Sequence, residues 1–131
     1  MSYHANVRKI AEENEDFRHV ILTGEKSQLV VMSIPPGGEV GEETHEHVEQ
    51  ILLFVAGNGK AKVGGETYSV GPGDVVIVTP GTRHNFINDG GEPLKIFTVY
   101  APPNHIDGRV HATKEEAEKD VEDEEFGHQV R

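Results

Sequence analysis

The chain of 131 residues is 35% hydrophobic and 27% charged, enough for one self-sufficient core and too short for two ordinary domains. Its 23 acidic against 12 basic residues give a net charge of −11 with histidines neutral, which argues against nucleic acid or an anionic membrane as partner and favours attraction of metal cations. Cysteine is absent, which excludes disulfides, thiolate catalysis and zinc–thiolate sites.

Residues 1–16 read as an N-terminal helical segment, because Val7, Ile10 and Ala11 fall at i, i+3 and i+4 within 5–15. No apolar leader and no run approaching the ~18 apolar residues of a membrane span is visible, so a cytoplasmic location is expected. Residues 17–112 read as one β domain. Short β-branched runs recur at Phe17–Thr23, Gln28–Ile34, Gln50–Ala56, Lys60–Val63, Glu66–Val70, Asp74–Thr79, His84–Asn88 and Leu94–Tyr100, separated by Gly/Pro/Asn-rich breaks. So many short strands in under a hundred residues predict an all-β, double-sheet jelly roll. Residues 113–131 form an acidic tail of eight acids and three bases. Thr113 and Glu116 make a capping box that predicts a short helix, and beyond it a solvated, partly disordered extension is expected.

Three of the eight histidines stand out. His45 and His47 form a His-x-His pair which, on a strand, would aim both imidazoles at one point. His84 follows the Pro80-Gly81 turn at the start of another predicted strand, where sandwich pairing would bring it opposite the first two. That set suits a transition metal.

With these residues in view, the sequence resembles the cupin superfamily over about residues 28–101. The first motif of that family runs Gly, five residues, His-x-His, three or four residues, Glu, six residues, Gly. The chain has His45-Glu46-His47, then Gln50 after two residues, then six residues and Gly57. The second motif runs Gly, five residues, Pro-x-Gly, two residues, His, three residues, Asn. The chain has Gly73, five residues, Thr79-Pro80-Gly81, two residues, His84, three residues, Asn88. In this alignment the opening Gly falls on Glu39, Thr79 stands at the motif proline, and Gln50 replaces Glu. The resemblance implies a double-stranded β-helix barrel in which His45, His47, Gln50 and His84 hold one divalent transition metal (Mn, Fe, Ni, Zn or Cu). An amide in place of a carboxylate leaves the ion its full charge and makes it a stronger Lewis acid. Glu49 is the competing ligand; alternation puts it on the opposite strand face from Gln50.

If Gln50 faces inward, so do Leu52 and Phe54, and if His84 does, so do Phe86 and Asn88; these predict an apolar pocket that few cations reach. Tyr100 and Glu49 are the catalytic candidates. Glu42, Glu43 and Glu46 read as a solvated rim, and His105 and His111 as loop packing or surface. Apolar residues on both faces of Gln28–Ile34 and Asp74–Thr79 predict a homodimer. The function expected is Lewis-acid chemistry on a small sugar-like or keto compound, of the isomerase-like kind. The alternatives are a three-histidine iron oxidase or dioxygenase, and a non-catalytic small-ligand-binding or sensor module.

Overall fold

Asn6 caps the first helix by accepting a hydrogen bond from the Lys9 amide at 3.0 Å, and α1 runs Val7–Glu13 in the computed structural model, which describes residues 1–130. Nine strands follow: β1 Arg18–Thr23, β2 Gln28–Ile34, β3 Glu49–Ala56, β4 Gly59–Val63, β5 Glu66–Val70, β6 Val75–Val78, β7 His84–Ile87, β8 Leu94–Ala101 and β9 Val110–His111. Helices α2 (Lys114–Lys119) and α3 (Val121–Val130) close the chain. No helix among the described residues is long and apolar enough to cross a membrane.

The strands form a six-stranded sheet, ordered β6-β3-β8-β2-β1-β9, and a three-stranded sheet, β5-β4-β7. Between them lies a core of Val30, Met32, Leu52, Phe54, Val76, Phe86 and Ile96, all buried. This is the jelly roll expected from the strand pattern. The segment before β3 extends the smaller sheet through isolated bridges pairing Glu39 with Ile87 and Glu43 with His84. That extension decides the geometry of the site.

Leu52, Phe54 and Phe86, which strand alternation points inward, are buried in this core between the sheets. Asn88 is equally buried and acts as a strut: its Nδ2 donates to the Ile34 and Glu92 carbonyls, each at 2.8 Å. The apolar surplus on β2 has an intramolecular cause. Val30, Met32 and Ile34 enter the core, while Val31, on the other face, is buried where α1 packs against the sheet with Ala11 inward. Val75 and Ile77 on β6, by contrast, stay exposed at the sheet edge.

Gly57 turns the chain between β3 and β4 with φ +80°, and a Cβ there would meet the Pro93 carbonyl oxygen at 2.4 Å. Gly57→Ala therefore combines a left-handed backbone cost with a backbone clash, and a loss of at least about 2 kcal/mol is expected. A shift in the chemical denaturation midpoint measures it; an unchanged midpoint would contradict the turn geometry.

Candidate metal centre

Glu43 and His84 are directly opposed across the ladder that extends the small sheet. Each amide donates to the other's carbonyl at 2.9 Å, so the two side chains rise from the same face. His45 arrives two residues later and is fixed by the Pro80-Gly81 turn, where the Gly81 amide donates to the His45 carbonyl at 2.7 Å. The proline–glycine turn of the second motif thus holds the histidine of the first.

The result is a three-residue group, Glu43, His45 and His84, whose ligand atoms lie within 4.8 Å of one another. His45 and His84 are buried, with ring centroids 5.2 Å apart. His84 Nδ1 donates to the Thr82 carbonyl at 2.9 Å, which orients the ring. His45 Nε2 stands 3.0 Å from Glu43 Oε2. That contact lies off the line a hydrogen bond requires, and among the described residues both His45 nitrogens are buried without a hydrogen-bond partner. Burial pushes the Glu43 carboxyl up, but the contact with His45 and the fields of Arg18, His45 and His84 outweigh it and hold the group at about 2. Glu43 is therefore a carboxylate at any ordinary pH.

Gln50 sits on β3 opposite Val78 and Tyr100. Its Nε2 donates to Thr98 Oγ1 at 3.1 Å, which orients the amide, while its Oε1 is buried with no partner among the described residues. Buried polar atoms are rarely left unsatisfied. A carboxylate, two imidazoles and an amide oxygen are donor types that suit a divalent cation, and the His45 nitrogens and Gln50 Oε1 are buried without a hydrogen-bond partner among the described residues.

His47 is not part of this group. It lies exposed in the Glu46–His47 bend ahead of β3, off any strand, so the same-face argument for His45 and His47 does not hold. The pair that converges with His84 is Glu43-Thr44-His45. With that shift of two residues the first motif falls into register: Gly37 (φ +78°), five residues, Glu43-x-His45, four residues, Gln50, six residues, Gly57. The missing opening glycine and the short spacing to Gln50 were the sequence signals for Glu43.

Glu49 is exposed on the outer face of β3, as alternation predicts. Tyr100 is buried on β8, edge-on to the His45 ring at 6.2 Å and to the His105 ring at 5.0 Å. Burial pushes its hydroxyl up to about 12 against the pull of Arg18, so it remains a proton donor.

Beside the cluster opens a cavity of about 320 Å³ whose walls include Arg18, Glu43, Thr44 and His105 on one side and Ala117 and Asp123 on the other. Its far wall is the C-terminal segment, which folds back instead of extending into solvent. His105 Nδ1 donates to Asp123 Oδ2 and the Ile106 amide to Asp123 Oδ1, both at 2.7 Å. Arg109 and His111 both bond Asp120 Oδ2, at 2.9 and 2.8 Å. His111, Asp120 and Asp123 also stand close enough together to suggest a cation site, but the Arg109 guanidinium already neutralises Asp120, and the cluster reads as the clasp of the tail.

Comparison with known proteins agrees with this fold. Residues 30–100 match the family model described as Cupin domain. The Bacillus subtilis protein YrkC is 37% identical over 118 residues, and the match covers 86% of this chain and 63% of YrkC, so the chain spans under two thirds of that relative. A crystal structure from Bacillus halodurans superposes with a TM-score of 0.88 at 33% identity, covering 90% of this chain and 94% of the other. A Thermotoga maritima structure described as a predicted oxalate decarboxylase has a TM-score of 0.62 at 27% identity, covering 64% of this chain and 77% of that one.

Proposed function

The chain belongs to the cupin family, and from that premise we propose that it is a mononuclear metal-binding cupin acting on a small organic ligand. Glu43, His45, His84 and Gln50 would hold the ion, beside a cavity that Glu43 also lines. The convergence of three ligand atoms within 4.8 Å of one another carries this reading. When bound, the ion supplies Lewis-acid polarisation of a ligand oxygen. The protein's own contributions are separate. Glu43 is the cluster member that also lines the cavity, Tyr100 holds a proton close by, and α2 and α3 restrict water. The oxalate decarboxylase description of the Thermotoga protein supports a small oxygen-rich ligand. Elemental analysis of protein purified without added metal tests the proposal: about one transition metal ion per chain is expected. Failure to take up Mn, Fe, Co, Ni, Cu or Zn on reconstitution overturns it.

A second reading has its own observation. Two imidazoles and one carboxylate, in place of three imidazoles, are the donor set of non-haem ferrous oxygenases. Oxygen uptake by the iron-loaded protein with a keto or hydroxy acid favours that chemistry, and full turnover under strict anaerobiosis rules it out. Pairing of two chains is retained as a proposal, supported by exposed Val75 and Ile77 on the edge strand β6; light scattering that gives the monomer mass would end it.

A further inference from the structure

β1 opens on an arginine in an unusual position. Arg18 is only 6% exposed, and its Nε is buried with no hydrogen-bond partner among the described residues. Its Cζ lies 5.2 Å from the centre of the Phe17 ring. Among the described residues no carboxylate oxygen lies within the 4.0 Å of an ion pair with it, although Glu43 and Asp123 both feel its charge. A buried guanidinium without a paired anion is costly, and replacing such a charge by a hydrophobic side chain of similar size is commonly neutral or stabilising. A charge kept under those conditions calls for an anionic partner from outside the chain. Arg18 lines the same cavity as Glu43, so that partner would lie beside the metal cluster.

Cavity charge narrows the partner's chemistry. Glu42, Glu118 and Glu124 share the walls with Glu43 and Asp123, against Arg18 and Lys114 as the cations. A doubly charged phosphate would be repelled by this surround. A single carboxylate matches the planar fork of one guanidinium. We propose that Arg18 anchors the carboxylate of a small monocarboxylic ligand, such as a hydroxy or keto acid, whose other oxygen reaches the Glu43–His45–His84 cluster. This rests on the metal-centre reading given above.

Glycolate, its uncharged counterpart glycolamide and inorganic phosphate are the probes, titrated into cobalt-loaded protein by calorimetry. Arg18→Met should keep full cobalt stoichiometry, melt no lower than wild type, and bind glycolate at least tenfold more weakly, with glycolamide unaffected. Arg18→Lys should fall between the two, and it carries the test if Arg18→Met does not fold. The inference is overturned if glycolate does not bind the wild type, or if its affinity is the same in every Arg18 variant. Phosphate binding as tightly as glycolate overturns the carboxylate assignment. If cobalt fails to bind the wild type, the metal reading falls by itself. Glycolate titration of chelator-treated protein then decides the arginine: Arg18-dependent binding upholds the anchor, and absent or Arg18-independent binding removes it.

Discussion

Alanine at Glu43, His45 or His84 should lower metal affinity by at least about 100-fold, whereas His47→Ala should retain one ion per chain. The three residues present ligand atoms within 4.8 Å of each other, and His47 is exposed in a bend outside the group. Gln50→Ala should cost less, roughly tenfold, because it removes a neutral amide oxygen and not a charged or imidazole donor. Metal titration followed by calorimetry, with circular dichroism as the folding control, reads the series. Loss of binding in His47→Ala together with retention in Glu43→Ala would restore the His-x-His alignment and refute the two-residue shift.

The second large effect lies at the clasp between barrel and tail. Asp123→Ala should destabilise the protein by about 3 kcal/mol, lowering the melting temperature by roughly 10 °C. Asp123 is 5% exposed and accepts both the His105 Nδ1 proton and the Ile106 amide, so its removal strands one buried and one half-buried donor and loosens the cavity wall. Burial pushes Asp123 up, but the His105 bond and charge, the Ile106 amide and the field of Arg18 together outweigh it and keep the group below the ordinary carboxylate range. Burial, reinforced by Arg18, pushes His105 down to about 4 against the pull of Asp123.

The pH dependence follows from that depression. Above its ordinary value near 6.5, His105 is neutral folded or unfolded and costs nothing. Between 6.5 and about 4 only the unfolded chain takes the proton, so stability falls with pH by up to about 3 kcal/mol and levels off below. Asp123 extends the loss further into acid. Denaturant midpoints measured from pH 7.5 to 4 should show this slope, and His105→Gln should flatten it. An equal slope in the variant would place the acid sensitivity elsewhere.

Much of the fold was legible because strand alternation and turn chemistry are local. Gly57 and Gly81 punctuate the chain where the left-handed backbone is needed, and the β-branched runs between such breaks became strands at nearly the expected bounds. His84 and Gln50 were legible as buried polar residues for the same reason, since each sits inside a regular strand where period two decides the face. The alternation argument failed only where the chain left regular structure. Glu43 and His45 lie in the irregular segment between β2 and β3, where two isolated bridges, not a strand, set direction.

The amino-acid order by itself determined the jelly roll, the histidine-bearing motifs and the acidic surplus, because these follow from spacing and composition. Only the folded chain decided that an acid outcompetes His47 for a place beside His45 and His84. It also decided that Arg18 is sealed against the same cavity and that the acidic tail docks through His105 and Arg109. Those outcomes depend on contacts between residues 11 or more positions apart, and burial, not local propensity, sets the charge and direction of each group.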